Sequence, residues 1–195
     1  QKGEVRPAVR KPWLDAQQAA GTTQRHIWPA GGSSGEEPYT LSIMLQEMLK
    51  MSISGWQVSI TANDISSAML QKAKKGIYSE YALRNTPKDL IDKYFSKEPG
   101  GYRVDPELQK YIRFEKLNLN DQKALKRVPK SQIVFCRNVI IYFDAPMKKK
   151  VINAFYDKLV SGGYLVLGHS ESLHSITRSF QPIRKPGGIV YQKQD

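Results

Sequence analysis

The sequence predicts an α/β fold: a mostly parallel sheet with helices on both faces, closed by a terminal antiparallel hairpin. Three observations carry that prediction. Ile133-Val134-Phe135-Cys136 is too short for a helix and lacks polar alternation, so it reads as a strand covered on both faces. Segments of helical periodicity alternate with such strands. The last stretch of the chain reads as two short strands flanking Pro186-Gly187-Gly188.

Each element follows in order. Residues 1–25 mix Gly3, Pro7, Pro12 and Gly21 with glutamine, threonine and basic residues, which predicts an arm or linker with one short helix at most, around Leu14–Ala20. Residues 26–195 are expected to form one domain. A strand at about 26–30 runs into the small-residue loop Ala30–Gly35. The following helix, through about residue 50, gathers Leu41, Met44, Leu45, Met48 and Leu49 on one face. Val58, Ile60 and Ala62 alternate as a second strand ending near Asp64, and Ser66 caps a helix carrying Met69, Leu70 and Ala73. The alternation lapses within about 77–116, where Tyr78, Tyr81, Leu90, Ile91, Tyr94 and Phe95 suggest short helices and Pro99-Gly100-Gly101 a turn. A small inserted β-subdomain is expected there. It resumes with a strand at 131–136, a helix at about 145–160, a strand Tyr164–Leu167 launched by Gly162-Gly163, and hairpin strands Phe180–Arg184 and Ile189–Gln192.

Bulk properties narrow the function classes. With 195 residues and 40% hydrophobic content, the chain can bury one substantial core. No run approaches the roughly 18 apolar residues of a membrane span, so no membrane insertion is expected. Cys136 is the sole cysteine, which leaves no intrachain disulfide and makes the cytoplasm the default compartment. His26, His169 and His174 are scattered without metal-ligand spacing, so no metal site is expected. The net charge of +12 attracts a polyanion or an acidic protein surface. Lys72/Lys74/Lys75, Lys123/Lys126/Arg127 and Lys148-Lys149-Lys150 fall in predicted helices, where a solvated face accounts for most such runs. No aromatic-interleaved RNA-reading signature accompanies them, and no nucleic-acid partner is expected.

Candidate site residues cluster at strand ends. The run to Cys136 breaks into Arg137-Asn138 and ends in Tyr142-Phe143-Asp144, which delivers polar groups beyond the carboxyl end of a strand, where α/β sheets bind ligands. The loop around Gly31 permits close backbone approach of a ligand, although Gly-Gly-Ser-Ser is also ordinary turn chemistry. Asp64 can accept both hydroxyls of a ribose or serve as a turn residue. Glu37 has two readings: in Ser34-x-x-Glu37 it closes a capping box, or it faces a cleft and meets a ligand.

Taken together, several stretches resemble the chemotaxis receptor methyltransferases of the CheR family. They are Ile27 through Tyr39, Ala62-Asn63-Asp64-Ile65-Ser66, Phe114 to Asn118-Leu119, Phe135 through Asp144, and Gly162-Gly163-Tyr164-Leu165 to Gly168-His169-Ser170-Glu171-Ser172-Leu173. They occur in the family's order over about residues 26–192.

The resemblance implies a Rossmann-like, class I S-adenosyl-L-methionine-dependent methyltransferase that esterifies receptor glutamates and releases S-adenosyl-L-homocysteine. It implies that Gly31, Glu37, Asp64, Asn118, Leu119, Asn138 and Val139 hold the cofactor, with Asp64 on the ribose. Arg137 and Tyr142 would lie beside the transferred methyl group. The implied partners are the cytoplasmic helical region of chemoreceptors and a receptor-tail peptide gripped by the inserted subdomain. The family also carries an N-terminal helical domain and an Asn-x-Thr-x-Phe-Phe-Arg-type cover; residues 1–25 match neither, so a cofactor pocket open on one side is expected. Two other readings stand beside this one. The positive charge suits a methyltransferase for RNA or a small molecule, although no Asp/Asn-Pro-Pro-Tyr segment is present. A non-catalytic, cofactor-sensing or partner-docking module would keep the same fold.

Overall fold

The computed structural model describes residues 24–49, 55–185 and 188–194. The arm up to residue 23, with its expected helix and the expected open side of the pocket beside it, lies outside the described residues, as does Pro186-Gly187 of the terminal turn.

Along the chain the elements begin with β1 (Gln24–Pro29), α1 (Glu36–Leu49), β2 (Gln57–Asp64), α2 (Ser67–Lys75), β3 (Ile77–Tyr78), α3 (Glu80–Leu83) and α4 (Lys88–Tyr94). They continue with β4 (Phe95–Glu98), β5 (Gly101–Val104), α5 (Pro106–Gln109), β6 (Ile112–Lys116), α6 (Gln122–Arg127) and β7 (Ser131–Cys136). A 3₁₀ turn at Ile140–Tyr142 leads to α7 (Ala145–Lys158), β8 (Leu159–Leu167), β9 (Phe180–Lys185) and β10 (Gly188–Lys193). Seven strands make one sheet in the order β6-β2-β1-β7-β8-β10-β9. The five from β6 to β8 are parallel, and the β9–β10 hairpin joins antiparallel to β8. This is the mostly parallel sheet with a terminal hairpin that the sequence predicts.

The side-chain period of two explains why the strands are apolar throughout. In β7, Val134 and Cys136 join Trp28, Leu165 and Phe155 on one face, while Ile133 and Phe135 join Ile27, Ile60, Leu41 and Leu45 on the other. Both faces are thus buried, under α6 and α7 on one side and α1 on the other. Trp28 and Phe155 meet edge to face with centroids 5.2 Å apart, which fixes α7 against the sheet centre.

A second sheet, in the order β3-β5-β4, occupies part of the predicted insert, and Tyr39, Tyr78, Tyr94, Val104 and Leu108 form its core against α1. Two elements differ from expectation. Ile112–Lys116, read as part of the small lobe, is the parallel edge strand of the main sheet, paired to β2 from Ile60 to Asp64. Among the described residues no strand pairs with its outer edge, so its polar alternation masked it. The strand expected to start at Tyr164 starts at Leu159, and Gly162, at φ 70°, sits inside it where the pairing to β7 slips between Ser131 and Ile133. Glycine accommodates that bulge.

The chain crosses from β1 outward to β2 and β6, then returns to β7 on the opposite side of β1. The order reverses between β1 and β7, and the crevice beyond their carboxyl ends is where such sheets bind ligands.

Candidate active site

Gly31 opens the loop after β1. The Gly31 and Gly32 N–H groups donate to the Asn63 carbonyl at 2.9 and 2.8 Å, and the Ala30 N–H donates to the Phe135 carbonyl at 2.7 Å. The loop is thereby tied to the ends of both β2 and β7. Gly31 has φ 84°, and a Cβ there would lie 2.5 Å from Cγ2 of Val139. Only glycine lets the loop lie flat against the segment after β7.

Asp64 ends β2 and does two structural jobs. Its Oδ1 accepts the Ser66 N–H at 2.8 Å, and its Oδ2 accepts the Ser33 N–H at 3.0 Å. Each oxygen keeps a further acceptor site, so the turn role and a ligand role are compatible. Ile65, the next residue, is a 60% exposed apolar side chain at the same strand end. Sequence reading passed over it, although an isoleucine directly after a strand-ending acid was the available signal.

Glu37 does not close the capping box. Ser34 Oγ donates instead to the Glu36 carboxylate at 2.8 and 2.7 Å, and Glu37 turns across the crevice to Arg137, whose Nη1 donates to Oε1 at 3.2 Å. The Arg137 and Glu37 side chains are 15% and 19% exposed. Burial raises the Glu37 carboxyl above the usual carboxylate range, Arg137 opposes the rise by its charge and hydrogen bond, and the Glu171 charge adds to it.

The segment after β7 is held by a residue whose role the sequence did not reveal. Glu171, 8% exposed, accepts four backbone N–H groups: Val139 and Ile140 on Oε1, each at 2.9 Å, and Asn138 and Gly168 on Oε2, at 2.9 and 2.7 Å. This carboxylate fixes Asn138 at φ 58° and sets the direction of the chain toward Tyr142. Glu171 lies within the stretch that carried the resemblance, but its partners stand 31 or more residues away except for Gly168.

The remaining expected residues divide. Asn118 is exposed, its Oδ1 accepts the Asn120 N–H at 2.9 Å, and the Leu117 N–H bond to the Asp64 carbonyl at 3.0 Å brings this segment beside β2. Leu119 turns its side chain into the main core at 8% exposure. Tyr142 stands 80% exposed on the 3₁₀ turn. Cys136 is buried, and burial holds its thiol well above its ordinary range, so it is inert as a nucleophile. Among the described residues no histidine, cysteine or carboxylate group gathers into a metal site, and no helix is long and apolar enough to cross a membrane. Asp64, Ile65 and the glycine loop meet at the carboxyl end of β2, and the Arg137–Glu37 pair stands just beyond the carboxyl end of β7. That donor set fits a ligand combining a ribose, an apolar base and positive charge.

Comparison with known proteins identifies the family and the fold. The model of the "CheR methyltransferase, SAM binding domain" matches residues 4–189, taking in most of the segment read as an arm. Chemotaxis protein methyltransferase 2 of Vibrio cholerae is 37% identical over 168 residues, 86% of this chain and 58% of its own length. Chemotaxis protein methyltransferase 1 of Pseudomonas aeruginosa is 38% identical over 178 residues, covering 89% and 64%. The chain therefore spans about three fifths of the length of these relatives. Among solved structures, TrmN from Thermus thermophilus superposes with a TM-score of 0.53 at 12% identity, covering 94% of this chain and 47% of that one. The N-methyltransferase NodS from Bradyrhizobium japonicum, in complex with S-adenosyl-L-homocysteine, gives 0.52 at 10% identity, covering 88% and 79%. Those two likenesses establish the class I methyltransferase fold. The family match, spanning nearly the whole chain, establishes more: this chain belongs to the CheR methyltransferase family and carries its S-adenosyl-L-methionine-binding domain.

Proposed function

We propose that this chain transfers a methyl group from S-adenosyl-L-methionine to glutamate side chains of chemoreceptors, forming methyl esters. The observation that carries this reading is the half-buried Arg137–Glu37 pair at the carboxyl end of β7, in the crevice where the sheet order reverses. The cofactor supplies an electrophilic methyl on a positively charged sulfonium. Asp64 accepts the ribose hydroxyls, Gly31 and Val139 form the wall along which the ligand lies, and Asn118, Asn138 and the Leu119 backbone complete its surroundings. Glu37 contributes negative charge near the cationic end.

An acceptor glutamate is already ionised near neutral pH, with an ordinary pKa of about 4.3, so no general base is needed. Arg137 orients the carboxylate and Tyr142 lines its approach, so rate comes from alignment and partial desolvation. A bare guanidinium would bind the acceptor strongly enough to blunt its nucleophilicity. Glu37 shares the Arg137 charge and moderates that effect. The net charge of +12 draws in an acidic receptor segment. The small sheet is the proposed seat of a receptor-tail peptide, because β4 is an edge strand and can accept an added strand.

Incubation with methyl-labelled cofactor and a chemoreceptor cytoplasmic segment tests the reading. Label should enter the receptor and leave as methanol in mild alkali. Alkali-resistant label, or none, would overturn the ester chemistry.

A further inference from the structure

A cavity of about 550 Å³ opens between the 3₁₀ turn, the first turn of α7 and the loop after β8. It is distinct from the crevice assigned to the cofactor. Ile141, Pro146 and Ile176 give it apolar surface, Ser170 gives it a hydroxyl, and Lys148 and Lys149 give it positive charge. Glu171 also borders the cavity, but both of its oxygens are engaged by the four backbone N–H groups. Lys148 and Lys149 differ from the other α7 lysines: Lys150 is bonded to Asn120 and Lys158 to the carbonyls of Lys126 and Val128. Neither the Lys148 nor the Lys149 side chain forms an ion pair or hydrogen bond among the described residues.

Lys148 closes the first turn of α7 and Lys149 opens the second, both near the positive end of its dipole. No carboxylate forms an ion pair with either side chain among the described residues, and both border a cavity with an apolar wall. The cavity adjoins the candidate reaction site directly, since Ile141 lines it and Tyr142, 80% exposed, is the next residue.

We infer that this cavity seats a second carboxylate of the acceptor, an acidic side chain one helical turn from the glutamate that is methylated. The inference rests on the glutamate-ester reading above. In a helix, residues three and four apart lie about 5–6 Å apart on one face. An acceptor helix with one glutamate at Arg137 and Tyr142 thus presents its neighbour on the same face toward Lys148 and Lys149. Its apolar residues cover Ile141, Pro146 and Ile176. The cavity selects glutamates that have an acidic neighbour at that spacing.

The test is the K148E/K149E variant with a helical peptide carrying two glutamates four residues apart, and the same peptide with the neighbour changed to glutamine. Acceptor KM on the parent peptide should rise at least tenfold in the variant, while kcat and the affinity for S-adenosyl-L-homocysteine change less than twofold. The glutamine peptide should lose the same factor on the unmodified chain and nothing further on the variant. Additive losses, or an unchanged KM, would overturn the inference. Peptide binding, followed by fluorescence anisotropy with S-adenosyl-L-homocysteine present, separates this result from the fate of the ester reading. Charge-dependent binding without transfer would sink the ester chemistry and keep the docking site; transfer indifferent to Lys148 and Lys149 would do the reverse. Binding of single-stranded RNA that is lost in K148E/K149E, with peptide KM unaffected, would assign the surface to nucleic acid and overturn the inference.

Discussion

Arg137 and Glu37, separated by 100 residues in the chain, meet at 3.2 Å across the crevice between β7 and the start of α1. The pair is largely enclosed, and Arg137 offsets the burial of the Glu37 carboxylate by its charge and hydrogen bond. Glu37→Gln should cost about 1–3 kcal/mol of stability and lower methyl transfer more than tenfold, with cofactor affinity falling less. Arg137→Ala has a separate signature in pH. Without its cation the Glu37 carboxyl rises further, and an acid whose folded pKa lies above its unfolded value takes up protons on folding. The Glu37 contribution to the stability of that variant should therefore be full below the ordinary carboxyl range, decline as pH rises from there through the raised folded value, and level off above it. Denaturant titrations of parent and variant across pH 4–7 measure the difference, and parallel curves would contradict it.

Gly31 and Val139 give a prediction with an internal control. Gly31→Ala places a Cβ 2.5 Å from Cγ2 of Val139 and forces a left-handed backbone on a residue with a side chain. The backbone part should cost about 1–2 kcal/mol and the clash should add to it. Gly31→Ala/Val139→Ala should recover the clash but not the backbone cost. Full recovery, read by thermal unfolding, would mean that φ at this position imposes nothing.

Asp64 should show coupled effects on binding and loop order. Asp64→Ala loses the ribose acceptor, at about 1.5–3 kcal/mol, so cofactor affinity should drop by about tenfold or more by calorimetry. It also frees the Ser33 and Ser66 N–H groups, which currently donate to the carboxylate. Amide exchange in the loop after β1 should accelerate in the variant. Unchanged affinity would remove Asp64 from the binding site.

Glu171 should matter more to folding than an ordinary surface-loop acid. In Glu171→Gln, two of the four N–H groups face an amide nitrogen instead of an oxygen, at a cost of about 2–6 kcal/mol for two unsatisfied donors. The segment Asn138–Ile140 would relax, and transfer activity would fall with it. A stability loss under about 0.5 kcal/mol would show that the segment holds itself.

What the sequence disclosed follows a physical division. Ile133–Cys136 and the break at Arg137 were legible because strand burial and strand-end polarity are local patterns. Asp64 was legible because it ends an alternating strand. Glu37 was ambiguous because the capping-box spacing is a local signal, whereas its partner Arg137 is set by the sheet order. Glu171 carried little local signal, since apart from Gly168 its donors Asn138, Val139 and Ile140 stand 31 or more residues away and reach it through the pairing of β7 with β8. The edge strand β6 was hidden because Ile112-Arg113-Phe114-Glu115-Lys116 pairs on one side only and so keeps polar residues that central strands exclude.

His26 makes the fold sensitive to acid. It is buried in β1, with Nδ1 2.7 Å from Ser131 Oγ and Nε2 2.8 Å from Thr61 Oγ1, which pins the ring across the sheet from β7 to β2. Burial chiefly, and then the charge of Arg113, lower its pKa to about 4. In the unfolded chain it titrates near 6.5, so between these values the unfolded state binds the extra proton and the folded state does not. The contribution of His26 is complete above about pH 6.5, declines as pH falls to about 4, and levels off below, for a total near 3 kcal/mol. Carboxylates titrate in the lower half of that window, so the comparison needs a variant without the imidazole. His26→Gln should lower stability at pH 7 and flatten the dependence between pH 6.5 and 4.5. Equal slopes for parent and His26→Gln in denaturant titrations would show that the histidine takes its proton without disturbing the sheet.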